Sequence, residues 1–76
     1  MSRLYYVERT DSTGHWRVYA CCYLQRVALR AGRQLARENL PGLRRRVTVR
    51  VRATHKQSPM IAGWINGMAA WGEAFR

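Results

Sequence analysis

The 76-residue chain carries 14 Lys plus Arg against four Asp plus Glu, a formal net charge of +10, and 47% of its residues are hydrophobic. That length allows one domain, residues 1–76, and the hydrophobic content excludes a disordered basic tail. So short a chain has little interior, which excludes most enzymes that need a deep dry pocket and makes stability lean on tight packing or oligomerisation.

Met1 to Val7 lacks the apolar stretch of a secretory signal peptide, and no run reaches the roughly 20 apolar residues of a membrane-spanning helix. Cys21 and Cys22 are adjacent and are the only cysteines, so there is no disulfide framework. A reducing, cytoplasmic setting without a membrane partner is expected. Thirteen of the 14 basic residues are Arg; only Lys56 is Lys. The guanidinium fork suits phosphates, carboxylates and aromatic faces, but a GC-rich coding bias also yields Arg, so the positions decide.

Leu4 to Arg9 is rich in aromatic and branched residues and reads as a first strand. Thr10-Asp11-Ser12-Thr13-Gly14 is a turn cluster. His15 to Ala20 alternates, with Trp16, Val18 and Ala20 on one side and Arg17 and Tyr19 on the other. That predicts a half-buried second strand closing a hairpin.

From about Cys22 to Asn39 the period becomes helical. Leu24, Ala28, Ala31 and Leu35 recur at spacings of four, three and four, with Val27 beside them. Arg26, Arg30, Arg33 and Arg37 repeat those spacings two residues later. Two residues is about 200° around a helix, so the arginines lie opposite the apolar stripe. Glu38 is the only acid in the region, so the row lacks partners one turn away. Gly32 costs about 1 kcal/mol against Ala in a helix and implies a close backbone approach. Asn39-Leu40-Pro41-Gly42 is a stop signal.

Leu43 to Ala53 alternates strictly. Val47, Val49 and Val51 point one way, and Arg44, Arg46, Thr48, Arg50 and Arg52 the other, which predicts a third strand. Same-face side chains recur every ~6.8 Å along it, near the phosphate spacing of one nucleic-acid strand. Thr54 to Ser58 reads as a polar loop. Met60 to Phe75 has two readings. Asn66-Gly67 signals a hairpin. Ser58-Pro59 suits a helix start, and Trp64, Met68, Trp71 and Phe75 recur at four, three and four. A helix is the preferred reading, although three glycines at about 1 kcal/mol each count against it.

These elements predict an α+β fold: a small antiparallel or mixed sheet of three or more strands with one helix packed on it, in the order β-β-α-β plus a C-terminal helix or hairpin. The crossover rule places the third strand parallel to the second, with the first between them. The helix is expected to cover Trp16, Val18, Val47, Val49 and Val51. The open face is then expected to show Tyr6, Arg17, Tyr19, Arg46, Thr48 and Arg50, a basic-aromatic surface suited to phosphate contact and base stacking. Arg44 and Arg52 extend it, and the helix row of Arg26, Arg30, Arg33 and Arg37 is a second candidate surface. Trp64, Met68, Trp71 and Phe75 are a candidate homodimer or partner interface, with core packing the simpler explanation. His15, Cys21, Cys22 and His55 lack metal-ligand spacing, and no nucleophile, paired carboxylates or phosphate loop can be picked out. No metal, cofactor or catalysis is expected.

The hairpin of Tyr5-Tyr6-Val7 with Trp16-Arg17-Val18-Tyr19-Ala20, the Ala-rich helix from Ala28 to Ala36 and the strand Val47-Thr48-Val49 resemble small phage-encoded proteins. Over Leu4 to Val51 the arrangement is similar to some small type I anti-CRISPR proteins, in which a helix lies on an antiparallel sheet. The resemblance implies a non-enzymatic inhibitor that docks on a CRISPR surveillance complex and blocks DNA binding, acting inside a bacterial cell. Many such inhibitors are acidic mimics of DNA. This chain is strongly basic, which favours an acidic protein surface or the nucleic acid itself, and no motif transfers a functional residue. Three functions follow: an inhibitor docking an Arg-rich surface on a nucleoprotein complex, a direct DNA- or RNA-binding module, and an oligomerising structural subunit.

Overall fold

A computed structural model of the chain describes residues 4–11, 13–38, 47–54 and 60–71. The element order is β1 (Tyr5–Thr10), β2 (Trp16–Cys22), α1 (Gln25–Glu38), β3 (Thr48–Ala53), β4 (Met60–Ile65) and β5 (Met68–Ala69). The strands form one antiparallel sheet in the order β2-β1-β3-β4-β5, and α1 packs across β1 to β4. The fold is α+β, as the patterning predicts. β1 separates β2 from β3, and those two run in the same direction.

The alternation in β3 decides which face is covered. Val49, Val51 and Ala53 are buried and meet Tyr5 and Val7 of β1, Trp64 of β4, and Ala28, Leu35 and Ala36 of α1. Thr48, Arg50 and Arg52 have the opposite parity and lie on the uncovered face. The apolar stripe of α1 is the expected one, except that its first members, Leu24 and Val27, are exposed. Gly32 is the point of closest approach. A Cβ built there would lie 2.8 Å from Trp64 Cζ3 and 2.9 Å from Val51 Cγ2, so the glycine lets the helix sit against the Trp64 ring.

The structure corrects the expected facing of the second strand. Val7 pairs with Ala20 but Glu8 with Val18, so Tyr19 is an extra residue in a β-bulge. The bulge switches the parity. Ala20 and Cys22 pack toward the core, whereas Trp16 and Val18 share the open face with Thr10 and Glu8. Arg17 and Tyr19 therefore do not belong to the open face. Strict alternation could not show this, because one inserted residue exchanges the two sides of everything before it.

The C-terminal segment is the hairpin, and the preferred helix does not form. Asn66 and Gly67 have φ of 50° and 83°, the two left-handed positions of a type I′ turn. Asn66 donates its backbone amide to the Val47 carbonyl at 2.9 Å and accepts from the Val47 amide through Oδ1 at 3.0 Å. Those two bonds tie the turn to the start of β3, a gain that helical periodicity does not register. The sequence signals at Asn39–Gly42, Arg44, Arg46, residues 55–59 and Phe75 lie outside the described residues.

Asp11 organises the β1–β2 turn. Its Oδ1 accepts from the Thr13 amide at 2.9 Å, the Thr13 hydroxyl at 2.6 Å and the His15 amide at 3.0 Å. Its Oδ2 accepts from Arg17 Nε at 2.9 Å. These donors, the Thr13 hydroxyl first and Arg17 next, hold its carboxyl well below the usual carboxylate range. A lowered native pKa adds stability above the unfolded-state value, and that contribution is lost as pH falls toward the native value.

Two outcomes follow. Gly32→Ala should destabilise by about 1–2 kcal/mol, because overpacking against Trp64 and Val51 outweighs the helix-propensity gain; chemical denaturation measures it, and an increase in stability would contradict the close approach. Asp11→Ala should lower Tm at neutral pH and flatten the loss of stability below about pH 4, read from melts across the acid range.

Candidate functional site

Two arginine surfaces lie on opposite sides of the molecule, and they differ in what holds their charges. On the open sheet face, Glu8 stands at the centre of β1, facing Arg50 of β3 in the pairing register. It is only 5% exposed. Arg50 Nε donates to Glu8 Oε1 at 2.8 Å. Arg52 Nε lies 2.8 Å from the same oxygen, as an ion pair outside hydrogen-bond geometry. The Arg50 guanidinium stacks 3.9 Å from the Trp16 ring centroid, and that of Arg52 lies 5.8 Å from the Tyr6 centroid. Thr48 is buried and its hydroxyl is 3.0 Å from that of Thr10. The face expected to offer arginines and rings side by side instead uses each arginine to cover a ring and to neutralise one shared acid.

Of the residues assigned to this face from the sequence, the structure brings together Tyr6, Arg50, Arg52 and Thr48. Arg17 is instead bound to Asp11 at the hairpin turn. Tyr19 lies on the helix side, with the Arg9 guanidinium 5.3 Å from its ring centroid. Arg44 and Arg46 lie outside the described residues. Sequence reasoning missed Trp16 and Glu8. The parity of Glu8 with Tyr6 was a readable signal that an acid sits among the arginines. The bulge hid Trp16.

The second surface is the outer side of α1. Arg26, Arg30, Arg33 and Arg37 are all exposed, and no carboxylate among the described residues lies within ion-pair distance of any of them. Glu38, the nearest acid in sequence, accepts a hydrogen bond from Gln34 at 3.3 Å. Eleven residues separate the first and last arginine, about 16 Å of helix rise. Leu29, half-buried, joins Arg26, Arg30 and Arg33 in lining a shallow groove along the row. Because α1 is seated by Gly32 and its buried apolar stripe, the row has a fixed direction relative to the sheet.

The expected quartet of Trp64, Met68, Trp71 and Phe75 is not one surface. Trp64 is a core residue, whereas Met68 and Trp71 are 75% and 67% exposed at the β5 end of the sheet, and Phe75 lies outside the described residues. The hairpin separates residues that a helix would have stacked. The two thiols are free; they occupy successive positions of β2, with Cys21 exposed and Cys22 half-buried.

Comparison of the chain with protein-family models, with curated proteins and with solved structures finds no match in any of the three.

Glu8→Gln should cost about 2 kcal/mol, since it leaves two neighbouring arginines on a partly buried face without their counter-charge. Urea denaturation reads this directly. A loss within the ~0.5 kcal/mol of an ordinary surface substitution would show that the ion pairs carry no weight.

Proposed function

We propose that this chain is a non-enzymatic binding module that docks the outer face of α1 on the phosphate backbone of a nucleic acid. One observation carries the reading: four exposed guanidiniums stand in a single row with no carboxylate against them among the described residues, in a chain that pairs Arg17, Arg50 and Arg52 with acids elsewhere. A row of like charges without counter-charges on a folded helix repels itself, and a polyanion laid along it relieves that repulsion. Its length of about 16 Å spans several phosphates of one strand. Guanidiniums grip phosphate oxygens through paired donors, which positions the complex without reading bases. The sheet face supports the reading less well, because Glu8 already engages its described arginines.

The test is a salt titration of binding to short single- and double-stranded DNA and RNA. Four phosphate contacts give a log–log slope of about −3.6 on duplex DNA and about −2.8 on single strands. Arg30→Glu combined with Arg33→Glu should weaken binding by more than about tenfold and reduce the slope by about 2. Arg52→Gln, on the sheet face, should leave the slope unchanged. No binding to any nucleic acid at physiological salt would overturn the proposal. It would leave an acidic protein surface on a nucleoprotein complex, the occupant expected of an inhibitor of the anti-CRISPR kind, to be sought by the same two α1 substitutions.

A further inference from the structure

A cleft between β2 and α1 belongs to neither arginine surface. It measures about 340 Å³, at the small end of the range for ligand pockets. Val7 and Leu35, both core residues, line its bottom. Ala20 from the strand and Ala31 from the helix have small side chains, which leaves the space open. Tyr19 borders it and is 61% exposed. As the extra residue of the bulge, Tyr19 is turned to the helix side, and bulges commonly re-aim a side chain in this way beside functional sites. The Arg9 guanidinium, 5.3 Å from the ring centroid, braces the ring.

The rim is polar. Gln34 and Glu38, both exposed, line the cleft from α1, and Gln34 Nε2 donates to Glu38 Oε1 at 3.3 Å. Glu38 makes no ion pair among the described residues. Arg30, Gln34 and Glu38 follow one another at steps of four residues, and Arg37 comes three residues after Gln34. Side chains at those spacings are neighbours on a helix surface. The cleft therefore adjoins the arginine row, with Gln34 between the two.

Chemistry selects the occupant. A carboxylate on the rim repels phosphate, and the aliphatic bottom solvates no charge. The group that fits is flat, uncharged and edged with N–H donors. A nucleobase carried by a phosphate on the row has this character. Among the bases, guanine matches best, because N1–H and the N2 amino group present two adjacent donors to the two oxygens of one carboxylate. Adenine and cytosine set a lone pair beside their amino group, and thymine and uracil have a single ring N–H. In a duplex this edge of guanine is already paired, so only a single strand can offer it.

Resting on the reading that α1 binds a nucleic-acid backbone, we infer that the cleft receives one unpaired guanine of a single strand whose phosphates lie on the arginine row. Tyr19 supplies the stacking ring. Glu38 accepts from N1–H and the N2 amino group. Gln34 uses one Nε2 hydrogen to hold Glu38 and gives the other to guanine O6. The row then sets affinity, and the cleft sets which base is preferred.

Fluorescence anisotropy with thymine oligonucleotides of about eight nucleotides tests the assignment, one of them carrying a single central guanine. The guanine strand should bind at least about fivefold more tightly at equal salt, with the same salt slope because the phosphates are equal in number. Hypoxanthine, which is guanine without the N2 amino group, should lose most of that gain, and this readout needs no protein variant. Glu38→Gln should bring the guanine-to-thymine ratio to within about twofold of one. Equal affinity for the two strands overturns the inference, and the backbone reading survives it if Arg30→Glu with Arg33→Glu still weakens both. A guanine preference that Glu38→Gln leaves intact also overturns it, because the base is then read elsewhere. Absence of binding to either strand overturns both readings.

Discussion

Arginines two residues apart on one strand repel each other, and in this sheet a single buried carboxylate answers both. Glu8 sits on the strand between β2 and β3, so Arg50 and Arg52 reach it from one side while Trp16 approaches from the other, bringing a ring for Arg50 to cover. The stems of the arginines, with the Tyr6 and Trp16 rings, roof a face that carries no helix. A three-strand region with one bare side usually hides its apolar area or exposes polar atoms. Here guanidiniums do both, lying flat on aromatic rings while their charge is met from within.

The same economy of acids shapes the rest of the surface. Asp11 is committed to the β1–β2 turn and Arg17, and Glu8 to the sheet. The helix that covers the core is left with four outward arginines and, among the described residues, no acid against them. Its seating is determined by small residues: Ala28 and Ala36 are buried, and Gly32 meets the Trp64 ring. A flush seat keeps the helix axis close to the sheet, so its outer row stands as a straight edge on the molecule. Packing on one side of α1 and charge on the other are therefore two results of one pattern, the offset of two residues between the stripes.

Much of the fold was legible because the strongest signals are local and periodic. Three alternating valines revealed β3, the paired stripes revealed α1, and the crossover rule placed β1 between its neighbours. The errors came where one residue changes the bookkeeping. Tyr19 is inserted in a bulge, so alternation counted through it assigns Trp16, Arg17, Val18 and Tyr19 to the wrong faces. In the C-terminal segment two periodicities coexist, and Trp64 satisfies both. The choice is made by Asn66, whose bonds to Val47 form only after the chain has returned across the sheet. The candidate site was legible in part. The α1 row was read as it stands. The sheet face was read as open because Glu8, 42 positions before Arg50 in the chain, was not counted among its members.

The distance in sequence between Glu8 and its arginines has a consequence for the order in which the protein can be made. Arg50 lies 42 positions after Glu8. During synthesis β1, β2 and α1 emerge first and already contain most of the local structure. Until β3 follows them, β1 has one vacant side and Glu8 lacks the Arg50 and Arg52 that neutralise it. Pairing β3 with β1 joins residues 40 or more positions apart, the kind of non-local contact that slows the folding of sheets. A truncated product ending before β3 would carry the unmet carboxylate and a β1 strand unpaired along one side, a ready template for pairing with other chains.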